Sequence, residues 1–164
     1  MFGVVGEMGL AITNAIICNP LGCVQGDVLV EDGIIMQVGP GLGRGHDYID
    51  ASGRLLFPGF IDLHIQGAGG KDVLDADSES LSVISKTCVR YGVTAFLGTT
   101  VFHPEARNSY LSGAVEQSRK ELGGAHFLGL HLEGPFIAPQ KRGMIHPDDI
   151  CDPSQEVLGR ILAM

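Results

Sequence analysis

Three short apolar segments begin near residues 60, 93 and 127, at spacings of 33 and 34, and the stretches between them read as helices. That is the rhythm of successive βα units, in which parallel strands are joined by crossover helices. Phe60 to Ile65 is the first strand candidate, followed by a loop carrying Gly67, Gly69 and Gly70. A helix is predicted from about Ser78 to Tyr91. Asp77 is its N-cap, Leu81, Ile84, Cys88 and Tyr91 share one stripe, and Gly92 is the stop. Val93 to Leu97 is the second strand, ending in Gly98-Thr99-Thr100. Pro104 is placed to open a second helix, which carries Leu111, Val115 and Leu122 and stops at Gly123-Gly124. The third strand runs from about Phe127 to Leu132, and Leu158 to Met164 reads as a last short helix. Strand-helix-strand-helix-strand predicts the α/β class with a parallel sheet. Two closures compete, an open doubly wound sheet and a (β/α)8 barrel. A barrel needs about 250 residues, and 105 follow Gly59, so the chain is expected to stop in the middle of a fold.

Ahead of Pro58-Gly59 the pattern is all β. Leu10 to Ile17 is a β-branched run, and Val28–Val30 and Ile34–Met36 flank Glu31-Asp32-Gly33. An Asp-Gly pair between apolar runs predicts a hairpin, because the turn needs positive φ. Gly39 to Gly45 is a glycine-rich loop, and Tyr48-Ile49 and Leu55–Phe57 add two short strands. This is too little for a closed barrel. The expected organisation is residues 1–57 as part of a small β sheet or sandwich, and 58–164 as about three βα units.

Charge and composition remove several classes of function. Lys and Arg number 11 against 19 Asp and Glu, a formal net charge of −8. Phosphate-backbone binding needs clustered cationic side chains, so nucleic acid is not the expected partner. Hydrophobic residues make up 45% and charged residues 18%, enough to bury a core and unlike a disordered chain. The uncharged stretch Met8 to Gly26 approaches membrane-span length, but Asn14, Asn19, Pro20 and Gln25 interrupt it. The first basic residue is Arg44, so no secretory leader is expected. Cys18, Cys23, Cys88 and Cys151 form no C-x-x-C pair, and are expected as free thiols in a reducing cytoplasm.

In parallel α/β proteins, chemistry collects where strands end. Alternation puts Asp62, His64 and Gln66 on one face of the first strand, and His131 and Glu133 on one face of the third. The first and third strands of a barrel feed the same interior layer, which brings these two ends toward one point. A lone His in an apolar strand is more often a hydrogen-bonded core residue than a ligand. Glu133 closes an apolar run just before Gly-Pro, and a partly buried carboxylate there needs a cation or strong donors. Thr99-Thr100 is equally compatible with turn chemistry. The Gly67–Gly70 loop lacks the surrounding pattern of a phosphate loop, and no G-x-S-x-G nucleophile elbow occurs.

These residues carry a resemblance. Phe57-Pro58-Gly59-Phe60-Ile61-Asp62-Leu63-His64 resembles the first barrel strand of the amidohydrolase superfamily. His131-Leu132-Glu133-Gly134-Pro135-Phe136-Ile137, followed by Lys141-Arg142-Gly143, resembles the signature of the N-acetylglucosamine-6-phosphate deacetylases. The likeness runs over essentially the whole chain and matches the N-terminal part of that family.

The resemblance implies the start of a TIM-type (β/α)8 barrel behind part of a small β-sandwich domain. It implies hydrolysis of the N-acetyl group of N-acetylglucosamine 6-phosphate, giving glucosamine 6-phosphate and acetate. A divalent metal would polarise the amide carbonyl and acidify a bound water; zinc is the first choice, with iron, manganese and cobalt as alternatives. The family's metal-ligating glutamate falls on Glu133, with His64 as a second candidate and His131 as a weaker one. The superfamily's His-x-His is His64-Ile65-Gln66 in this chain, which favours one metal over two and leaves Gln66 to contact substrate. By ungapped count the family's Lys-Gly-Ala-His falls on Arg142 to Ile145, with His146 one residue later. Met144, Ile145 and His146 are therefore the other substrate candidates. The family's two further metal histidines and its catalytic aspartate come from later strands, so no catalytic residue is expected within 1–164. The implied setting is cytoplasmic, away from membranes and nucleic acid, with the complete enzyme a homo-oligomer. Two other readings stay open: a non-catalytic fragment binding a sugar phosphate or a protein partner, and another amidohydrolase acting on a cyclic amide.

Overall fold

The Asp32-Gly33 pair turns the chain as its composition demands, with φ of 49° and 75°. This turn joins β2 (Gly22–Glu31) to β3 (Ile34–Gly39), antiparallel, in a computed structural model that describes residues 9–75, 77–106 and 108–164. Residues 1–8 of the expected all-β segment lie outside the described residues. The chain divides into two units, the first ending at Pro58 and the second running from Gly59 to Met164.

In the first unit, β1 (Leu10–Asn19) pairs antiparallel with β2 and parallel with both β4 (Asp47–Asp50) and β5 (Leu55–Leu56). The order is β3-β2-β1-β4, with β5 also on β1. From residue 9 on, the uncharged stretch up to Gly26 supplies all of β1 and the start of β2. No helix among the described residues is long and apolar enough to cross a membrane. Cys18 and Cys23 correct the free-thiol expectation. They face each other across the β1–β2 ladder with Cα atoms 4.1 Å apart and form a disulfide. Spacing alone hides this, because the hairpin register, not a C-x-x-C turn, brings the two together. Cys88 and Cys151 are free, and burial, followed by the Asp62 charge, pushes the Cys88 thiol up.

A β-bulge between Ile12 and Ala15 sets Asn14 at φ 57° and takes its amide out of the ladder. Asp27, 8% exposed, replaces the lost partner: its carboxylate accepts from the Asn14 amide at 2.9 Å and the Leu42 amide at 3.0 Å. The Asn14 bond, then the Leu42 bond, hold its carboxyl below the ordinary 3.8, against the opposing push of burial. A depressed folded-state value means the carboxylate's contribution is complete above about pH 4 and is lost as pH falls through the folded value. The first unit should therefore lose stability on acidification below about pH 4, and Asp27→Asn should flatten that fall. An acid titration followed by amide resonances of β1 and β2 checks this; equally steep curves for wild type and variant would sink it.

In the second unit, β6 (Phe60–Ile65), β9 (Val93–Thr100) and β10 (His126–Leu132) form a parallel sheet in the order β10-β9-β6. Between β6 and β9 come the two-residue strands β7 (Gly67–Ala68) and β8 (Lys71–Asp72) and helix α1 (Ser78–Arg90). Helix α2 (Ser109–Gln117) links β9 to β10, and α3 (Gln155–Leu162) follows. Asp77 caps α1 as predicted, accepting from the Ser80 amide at 2.6 Å. Leu81, Ile84 and Cys88 bury against Phe96 of β9 and Phe127 of β10. Tyr91 does not join that stripe. It caps a helix that has already ended at Arg90 and is exposed.

Three local points take definite form. The loop with Gly69 and Gly70, at φ 64° and 80°, is the tip of the β7–β8 hairpin, so these glycines serve a turn. Thr99 and Thr100 lie inside β9, almost fully buried, and are not a turn. Pro104 does not open α2. Asn108, at φ 51°, breaks the path, and its side-chain amide donates to the His103 and Ala106 carbonyls. The helix accordingly starts at Ser109 and buries Leu111, Ala114 and Gln117, with Val115 only half-buried.

Candidate active site

β6 and β10 flank β9, so in a flat sheet their side chains would stand about 10 Å apart. Their C-terminal ends nevertheless meet. Gln66, just past β6, donates from Nε2 to Glu133 Oε2 at 3.2 Å, and His64 Nε2 lies 4.0 Å from the same oxygen. The His64 and His131 rings meet edge to face with centroids 5.1 Å apart. Alternation along each strand accounts for the pairing. His64 and Gln66 face this side, while Ile65 between them turns to the apolar core beneath. On the central strand, Thr99 Oγ1 comes within 3.4 Å of His131 Nδ1 and leaves room for the longer side chains on either flank. The Glu133 backbone continues the ladder, its amide donating to the Thr100 carbonyl at 2.8 Å.

Asp62 does not join this group. Its carboxylate folds back to accept from the His64 amide at 3.0 Å, at an irregularity in the β6–β9 register. Glu133 is one-third exposed and His64 about half. Both line a cavity of about 730 Å³ together with Gln66, Met144, Ile145 and His146. Those last three come from the turn after a short 3-10 segment at Pro139–Lys141. Ile145 is buried, clasped by Arg142, whose guanidinium donates to the Ile145 carbonyl. Met144 is fully exposed at the rim, and His146 uses Nδ1 to accept from the Asp148 amide at 3.3 Å.

The same cavity has two further polar walls that the sequence reading did not single out, His103 and Asp149. His103 Nδ1 makes a very close hydrogen bond to Asp149 Oδ1. The loop carrying His103 is held firmly: its amide donates to Asn108 Oδ1 at 2.7 Å, and Arg160 donates to the Pro104 and Ala106 carbonyls. Tyr110 packs against the same loop, donating to the Val101 carbonyl, with its ring 5.8 Å from that of His103. Burial, then the Asp149 charge, push the Tyr110 hydroxyl up to about 12, so it stays protonated. Extending the alternation of β9 past its end, through Thr99, Val101 and His103, was the available signal for His103. Asp149 offered none, since it lies in a 3-10 turn with no periodicity.

A catalytic zinc is held by three protein ligands. Among the described residues no group of three or more His, Cys, Asp and Glu side chains is placed to hold one. Glu133 and His64 form a pair, and His131 turns its Nδ1 to Thr99. The residues present do not complete a metal site.

The fold that carries this strand-end group has counterparts among solved proteins. N-acetylglucosamine-6-phosphate deacetylase from Pasteurella multocida superposes with a TM-score of 0.80 at 26% identity, over 95% of this chain and 42% of that one. The Thermotoga maritima enzyme of the same name gives 0.74 at 31%, over 92% and 39%. A curated Lysinibacillus sphaericus protein, again an N-acetylglucosamine-6-phosphate deacetylase, is 33% identical over 165 residues, 96% of this chain and 41% of its own length. The chain is homologous to the N-acetylglucosamine-6-phosphate deacetylases. It spans about two-fifths of the length of these deacetylase relatives. No family model matches it.

Proposed function

We propose that this chain carries one wall of a pocket for N-acetylglucosamine 6-phosphate, in a protein that hydrolyses the N-acetyl amide to glucosamine 6-phosphate and acetate. The observation that carries the reading is the convergence of Glu133, Gln66 and His64 at the ends of β6 and β10. With Nε2 committed to Glu133, the Gln66 Oε1 atom is left to accept from the substrate amide N–H. The buried Ile145 side chain offers an apolar surface for the acetyl methyl, and Met144 and His146 stand at the rim. In this reading β6, β9 and β10 begin a (β/α)8 barrel, and the first unit is part of a β sandwich. The complete enzyme is a homo-oligomer in the same reading. A cytoplasmic setting belongs to the same reading, although the Cys18–Cys23 disulfide is unusual for a reducing compartment. The homologues do not favour the cyclic-amide or purely partner-binding alternatives.

Glu133 and His64 supply two of the donors a divalent cation needs, one fewer than a catalytic zinc uses. Residues 1–164 should thus bind zinc weakly and release little or no acetate from N-acetylglucosamine 6-phosphate. Calorimetric zinc titration, paired with an acetate-release assay, tests both statements. Glu133→Gln should remove what zinc binding there is; zinc affinity and sugar binding unchanged in Glu133→Gln and His64→Gln would refute the assignment.

A further inference from the structure

We infer that His103, oriented by Asp149, reads a ring hydroxyl of the sugar in this cavity, accepting its hydrogen bond at Nε2. The inference rests on the sugar-phosphate reading above and adds a specificity-determining pair to it. An ionised carboxylate only accepts, so the proton of the His103–Asp149 bond sits on Nδ1. In the neutral ring this leaves Nε2 with a lone pair, an acceptor of fixed tautomer.

The ring is also held in place from its backbone. Asn108 takes the His103 amide and gives its own amide to the His103 carbonyl, and Arg160 ties down the next turn. A pair with only a structural task has no need of access, yet His103 keeps 35% of its side chain exposed and lines the cavity shared with Glu133 and Gln66. Charge decides which part of the ligand this wall meets. Its charged members are the carboxylates Glu133 and Asp149, and no Lys or Arg among the described residues lines it. A phosphate dianion is repelled there, whereas a hydroxyl proton is attracted.

The test uses the 164-residue chain. The His103 ring nitrogens, followed by 15N NMR, should show a protonated Nδ1 and an unprotonated Nε2. The chain is then titrated with N-acetylglucosamine 6-phosphate and with analogues lacking one ring hydroxyl each. One deoxy analogue should bind about tenfold more weakly than the parent, and the parent should shift the Nε2 resonance. His103→Phe should weaken the parent about tenfold while leaving that analogue unchanged. Asp149→Asn, whose amide can donate to Nδ1, should move the proton to Nε2, so that the ring donates to the hydroxyl, and the 15N spectrum should show that reversal. If His103→Phe does not fold, the wild-type series and Asp149→Asn decide the matter alone. Equal weakening of every analogue means a purely structural pair and overturns the inference. So does inorganic phosphate reproducing the Nε2 shift. A wild-type chain that binds none of these sugars brings down the site reading and this inference together; sugar binding without hydroxyl discrimination brings down the inference alone.

Discussion

Phe96→Ala should cost the second unit about 3–5 kcal/mol, a large fraction of the 5–15 kcal/mol by which a domain is ordinarily stable. Phe96 is fully buried on β9, the middle strand of the parallel sheet. Its ring stacks on Phe127 of β10, with centroids 5.2 Å apart and planes inclined by 30°. From α1, Leu81 and Ile84, both fully buried, join the cluster. Truncation removes the ring's own transfer energy and leaves a cavity among residues fixed on three elements, so collapse into the gap is restricted. The stacked pair adds about 0.5–1.5 kcal/mol beyond burial. Urea unfolding monitored by amide exchange in α1 and β9 measures the loss. A change below about 1 kcal/mol would mean that this cluster is not the core it resembles.

Gly124→Ala should destabilise the same unit by about 1–3 kcal/mol or more, as overpacking does. A Cβ at this position would meet the Ser85 carbonyl carbon and oxygen at 2.6 Å and the Lys86 amide nitrogen at 2.7 Å. These are backbone atoms of α1 and cannot swing aside. The contact is close because α1 is stitched to the chain entering β10. Ser82 Oγ donates to the Leu122 carbonyl at 2.9 Å, Ser85 Oγ to the Ala125 carbonyl at 2.7 Å, and the Ala125 amide to the Ser85 carbonyl at 3.0 Å. Relief of the clash would stretch all three. Gly159→Ala supplies the control. It sits inside α3 with nothing within 4 Å of its added Cβ, and should stabilise by up to about 1 kcal/mol through helix propensity. Thermal melts of the two variants should move in opposite directions, and a Gly124→Ala protein as stable as wild type would show that α1 can shift away.

Much of the architecture was legible in order along the chain. The Asp32-Gly33 turn, the Asp77 cap with its Leu81–Ile84–Cys88 stripe, and the three strands after Gly59 rest on local signals that need no distant partner. The strand-end group was legible to the same extent: alternation selected His64, Gln66 and Glu133, and these side chains do come together. Alternation failed for Asp62, where a break in the register and a bond to the next amide turned the carboxylate aside. Pro104 was misleading for a related reason. Its conformation suits a helix start, but the Asn108 side chain offers the carbonyls of His103 and Ala106 a competing donor, and the loop takes it.

By itself, then, the sequence determined the order of the main strands and helices, and for most strand-end residues which face they share, because backbone preferences and side-chain alternation act over a few residues. The tertiary structure alone decided that Cys18 meets Cys23, that Gln66 reaches Glu133 across an intervening strand, and that His103 finds Asp149 at 46 positions' remove. Such pairings follow from ladder register, sheet curvature and the path of loops, and these are fixed only when many weak contacts form at once.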